Sequence, residues 1–157
     1  MLSSVCFLKK NTIKITNKEQ TMNNTLMSLL IYITWFSAIL LVLGLFRSYL
    51  TLTGKKAANS YTPTGTEVSP FSGRLCRAHA NCYEFFPIAG GLMLAALASG
   101  NTMITEEFAL YLVYARVLQS IVHIVSTSII AVYIRFALFL VQVGICVYWI
   151  FGFCNLG

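Results

Sequence analysis

Arg74, Arg77, Asn81 and Glu84 follow one another at intervals of three, four and three residues in RLCRAHANCYEFFP, residues 74–87. On a helix of 3.6 residues per turn that spacing puts two guanidinium groups, an amide and a carboxylate on one stripe. His79 falls off the stripe. A second set, Arg116, Gln119, Ser120, His123 and Thr127, sits at offsets of three, four, seven and eleven from Arg116, and Arg135 and Gln142 form a third, seven apart. Such a collection suits recognition of an anion, because a guanidinium fork takes a carboxylate through two parallel hydrogen bonds. Glu84 is expected to form an ion pair with Arg116. Arg74, Arg77 and Arg135 then have no acidic partner in the apolar segments, and the surplus charge favours an anionic guest.

These residues are embedded in sequence made for hydrocarbon. The chain has 57% hydrophobic and 10% charged residues, where soluble domains carry roughly 25% charged residues; its mean hydropathy is +0.75. Apolar runs at about 26–50, 76–99, 107–127 and 129–153 each approach the roughly 20 residues that cross a bilayer as a helix. Only helices and closed barrels satisfy every backbone amide in lipid, and runs without alternation are not barrel strands. The fold class expected is therefore all-α, an integral membrane four-helix bundle over residues 26–154, preceded by a basic tail, 1–25. An arginine facing lipid at mid-membrane costs about 2.5–3.5 kcal/mol, so the polar stripes must face one another or another subunit.

Punctuation supports this division. Thr51–Gly73, with Pro63, Gly65, Pro70 and Gly73, reads as a long surface loop, Gly100–Glu107 as a short acidic turn, and Ser126–Ser128 as the last boundary. Pro87 cannot donate an amide to the carbonyl of Tyr83, so a bend is expected there. Arg47, Lys55, Lys56, Arg74 and Arg77 flank the first loop, whereas Glu106 and Glu107 occupy the second turn, which places the first loop on the cytoplasmic side. Lys9, Lys10, Lys14 and Lys18 pull the other way, a conflict removed if translation begins at Met22.

Composition also sets aside several function classes. The net charge of +6 comes from lysines and arginines in the tail, beside the membrane or inside helices; acidic lipid headgroups, not nucleic acid, are the partner expected. Five cysteines, Cys6, Cys76, Cys82, Cys146 and Cys154, are scattered through apolar sequence without a disulfide framework. Cys76, His79 and Cys82 fan around a helix and lack a fourth ligand, so no metal is expected.

Arg77-Ala78-His79, Asn81, Glu84 and Pro87, opening the second of four apolar segments, resemble the signature of the MAPEG superfamily, membrane-associated proteins of eicosanoid and glutathione metabolism. Ala115-Arg116 and the long polar first loop extend the resemblance over residues 26–154. The resemblance implies a homotrimer that binds glutathione between subunits near the cytoplasmic face and uses it on lipophilic substrates. It assigns Arg77, Asn81 and Glu84 to gripping the tripeptide, Arg116 to the helix-three arginine, and Arg135 to the arginine that stabilises the thiolate. Glutathione has two carboxylates for arginines and one ammonium for a glutamate, and a nearby guanidinium favours ionisation of a thiol whose free pKa is about 8.5. Three positions depart from the family pattern: His123 stands where active relatives have a tyrosine poised toward glutathione and is expected to substitute for it as a glutathione-binding hydrogen-bond donor, Gln119 stands where some have histidine, and Ala80 where some have a further basic residue. A glutathione-dependent transferase or peroxidase is the first reading. A non-catalytic member that binds or presents lipids is the second, and a small transporter the third.

Overall fold

The first helix starts at Asn24 because the side-chain oxygen of Asn23 accepts the Leu26 amide at 2.8 Å, satisfying one of the donors every helix start leaves open. The computed structural model describes residues 23–155; the basic tail with Lys9, Lys10, Lys14 and Lys18, the start at Met22, and Cys6 lie outside the described residues. Helix α1 covers Asn24–Leu52, α2 Pro70–Ser99, the single turn α3 Met103–Glu106, α4 Ala109–Val125 and α5 Ile129–Cys154. The chain is all-helical.

Each boundary has a local cause. Ser69 accepts the Ser72 amide at 3.0 Å and Pro70 takes the first helical position, where a missing amide costs nothing. Helix α2 thus begins six residues before the apolar span expected from 76, with a first turn and a half that carries Ser72 and Arg74. It continues through Pro87 and ends at Gly100, whose φ of 72° is the left-handed conformation that glycine adopts without strain. Ser126 ends α4, and Ser128 caps α5 by accepting the Ala131 amide at 3.2 Å.

Helices α1, α2 and α5 are long and apolar enough to span a membrane. Helix α4, with 17 residues, is about 26 Å long and is the central element, packed against α1, α2 and α5, while α2 and α5 touch only sparsely. Tyr32, Met93, Leu112, Val113 and Trp149 are fully buried between them, whereas Leu41, Leu45, Ile130, Phe136 and Phe151 form part of an exposed apolar exterior. That exterior, with the apolar helices, makes the chain an integral membrane protein.

Glu106 also reaches across the bundle. Its carboxylate accepts the Asn24 amide at 2.8 Å and the Thr25 amide at 3.4 Å, placing a negative charge on the N-terminus of α1, where the helix dipole favours it. The acidic turn read as an orientation signal is therefore also a tertiary cap.

The first loop folds back on α1 and α2. Arg47 donates to the Thr62 carbonyl at 2.9 Å and lies over the Tyr61 ring, and Tyr61 donates to the Arg47 carbonyl at 2.9 Å. Gly65, at φ 64°, sits where an added Cβ would meet Cys76 Sγ at 2.6 Å. Thr62 gives its hydroxyl and its amide to Glu67; those two bonds, with a smaller contribution from Lys56, hold the Glu67 carboxyl down to about 2. A depressed carboxyl favours the folded loop above its unfolded value of about 4.3 and loses that contribution as pH falls through the folded value. The Thr62 amide shift is accordingly expected to stay constant from neutral pH to about 4 and to change as the pH falls toward about 2. An NMR titration checks this, with Glu67→Gln as the flat control; a midpoint at the ordinary carboxylate value would contradict it.

Candidate functional site

Arg116 lies on the central helix and is fully buried. Its Nη1 donates to the Asn81 side-chain oxygen and, at 3.3 Å, to the Asn81 carbonyl, and its guanidinium lies 4.3 Å above the Phe85 ring. Nε and Nη2 have no partner. Burying a charge with donors to spare is costly, and Arg116 is one of the residues lining a cavity of about 270 Å³, with Asn81, Glu84, Phe85, Ile88, Phe139 and Val143. Helix α2 forms one wall, α5 the other, and α4 supplies the charge at the base. Phe85 and Phe139 meet edge to face at 6.0 Å.

The expected ion pair between Glu84 and Arg116 is not formed. Among the described residues the ion pair is Lys56 with Glu67, at 4.0 Å in the loop. Arg116 engages Asn81 and the face of Phe85, while Glu84 is exposed at the cavity edge. Arg77, four residues before Asn81, stands one helical turn nearer the loop and is exposed as well. The α2 stripe thus contributes the half-buried Asn81 to Arg116, and Arg77 and Glu84, on either side of it, are exposed on the protomer. Arg74 donates Nε to the Ile124 carbonyl at 2.7 Å, closing the C-terminal turn of α4.

Arg135 and His123 come together at the same end. Arg135 Nη1 is 3.0 Å from His123 Nδ1, and both residues are half-buried. Arg135 is four residues, about one turn, before the cavity residue Phe139. Gln119 and Gln142 join α4 to α5 through a 3.1 Å hydrogen bond.

Three contributors escaped the sequence reading. Phe85 and Phe139 were part of the apolar background, and their role depends on which helices meet. Tyr32, buried in α1, donates to the Cys82 carbonyl at 3.1 Å; its isolated hydroxyl in an apolar span was the available signal, since a buried hydroxyl needs a partner. That carbonyl and Asn81's lie just before the one Pro87 leaves open, so side chains from α1 and α4 gather on the turn preceding the proline. Cys76 and Cys82 face different partners, Arg47 and Ser120, and His79 stacks on Phe36 at 4.8 Å. Among the described residues no three metal-ligating side chains converge.

The model of the MAPEG family matches residues 29–154. No curated protein and no solved structure gives a significant match. The family match runs from the first helix to the end of the fourth long one and takes in Asn81, Glu84, Arg116 and the cavity between them. The chain belongs to the MAPEG family, and so to the membrane proteins of glutathione and eicosanoid metabolism.

Proposed function

We propose that the protein is a glutathione-dependent transferase or peroxidase acting on lipophilic electrophiles within the membrane, and that it works as a homotrimer with its long first loop on the cytoplasmic side. The observation that carries this reading is Arg116, a buried guanidinium with two unpartnered nitrogens at a cavity shared with Asn81 and Glu84. Those donors fit a carboxylate, and the Glu84 carboxylate fits an ammonium; glutathione offers both. Glutathione also supplies the thiol nucleophile.

In this reading Arg116, Asn81 and Arg77 anchor the carboxylate-bearing ends, Glu84 accepts the ammonium, and Arg135 faces the sulfur. A guanidinium in a site with little water lowers the cost of holding a sulfur anion. Trimer formation is supported by exposure: Arg77 and Glu84 lie on the outer face of a single protomer, and a charged group left against hydrocarbon costs about 2.5–3.5 kcal/mol. A neighbouring copy would cover that face and close the cavity.

A second reading, binding or presentation of lipids without catalysis, is supported by a groove of about 470 Å³ between α1 and α4, lined by residues that include Leu30, Ile31, Trp35, Tyr114 and Val117. Purified protein assayed for glutathione binding and conjugation distinguishes the two. Arg77→Ala and Glu84→Ala are each expected to weaken glutathione binding about tenfold or more, the loss of one charge-assisted contact. Wild-type protein with no affinity at millimolar glutathione would rule out the enzyme and leave the lipid-binding reading.

A further inference from the structure

Arg135 is held by α4 at both ends. At its guanidinium, Nη1 meets His123 Nδ1 at 3.0 Å. An arginine only donates, so the ring nitrogen must accept, and the neutral ring carries its proton on Nε2. At its backbone, the Arg135 carbonyl accepts Gln119 Nε2 at 2.9 Å. Gln119 is itself fixed, because its Oε1 accepts Gln142 Nε2 at 3.1 Å, and that amide also donates to the Leu138 carbonyl at 2.8 Å. His123 and Gln119 are four residues apart and thus adjacent on one face of α4.

This bracing answers a local difficulty. Arg135 lies in the second turn of α5, between the exposed apolar residues Ile134 and Phe136, and a long flexible side chain there can turn outward toward the membrane surface. The structure assigns His123 the part of a positioning residue: its Nδ1 is the acceptor that turns the Arg135 guanidinium inward to α4, with Gln119 and Gln142 bracing the helix beneath. This inference rests on the reading that Arg135 stabilises the sulfur anion. With Nδ1 occupied by Arg135, any hydrogen bond that His123 donates to glutathione must come from Nε2.

An acceptor is all that the role requires. Asparagine places its Oδ1 near the position of Nδ1, whereas leucine fills the space without an acceptor. With full-length protein, glutathione and chlorodinitrobenzene, His123→Leu is expected to lower kcat about tenfold or more, the effect of misplacing one charged hydrogen-bonding group, with the glutathione KM little changed. His123→Asn should restore most of that loss, and adding His123→Leu to Arg135→Ala should lower the rate no further. A leucine variant at the wild-type rate, an asparagine variant as slow as leucine, or multiplying losses in the double variant would overturn the assignment. Wild-type protein without conjugation would instead sink the proposed function, and the ring itself then decides. The chain has two histidines, so nitrogen NMR readily separates their rings. His123 is expected as the Nε2–H tautomer with an Nδ1 resonance that moves in Arg135→Ala; the opposite tautomer, or no movement, overturns the assignment.

Discussion

Replacing Arg116 with methionine is expected to leave the bundle at least as stable as the wild type while removing its affinity for glutathione. The arginine is fully buried, and Nε and Nη2 lack partners, so folding bears a desolvation cost that one amide and one aromatic face offset only in part. Methionine has a similar reach, packs on Phe85 and carries no charge. Buried ionic groups replaced by well-packed apolar residues are often neutral or stabilising by about 1–4 kcal/mol. The half-buried Asn81 amide loses its partner, which tempers the gain. Unfolding in detergent, followed through the buried Trp149, and equilibrium glutathione binding measure the two halves. A residue retained for function at the expense of stability gives that opposed pair of results; a methionine variant that unfolds easily, or binds glutathione normally, would make Arg116 a structural residue.

Asn81→Leu should produce the reverse pattern in stability. Removal of the Asn81 side-chain oxygen deprives Arg116 Nη1 of its closest acceptor, leaving a buried cation with a weak contact to the Asn81 carbonyl at 3.3 Å and the ring of Phe85. Hydrogen bonds to charged groups contribute about 1.5–3 kcal/mol, and a loss in that range is expected in the same detergent unfolding assay. Adding Arg116→Met to Asn81→Leu should recover most of it, since the cation that needed the amide is gone. Failure to recover would place the cost in packing of α2 against α4.

Helical period made the site partly legible. Spacing alone put Asn81 and Glu84 on one stripe, and both line the cavity; it put Arg116, Gln119 and His123 on one face of α4. Period gives the face of a helix but not the neighbour that face meets. Charge arithmetic therefore joined Glu84 to Arg116, whereas the fold gives Arg116 to Asn81 and Phe85. Hydropathy locates spans by their apolar content and is silent on where a helix begins; α2 starts at Pro70, in residues the sequence reading gave to the first loop, because the Ser69 cap and the proline decide that boundary. Glu106 was read as a charge on a turn; its capping of α1 joins residues 82 apart in sequence, which no local pattern encodes. The pairing of His123 with Arg135 likewise needed the α4–α5 packing to be seen.

The proposed convergence of α2, α4 and α5 on an anion site is tested most directly by cryo-electron microscopy of the protein in lipid nanodiscs saturated with glutathione. The expected map shows three copies of the chain, with the tripeptide between α2 and α5, a carboxylate against Arg116 Nη2 and the ammonium at Glu84. A map in which the cavity holds an acyl chain, while Glu84 and Arg77 lie uncovered and glutathione is absent, would contradict it.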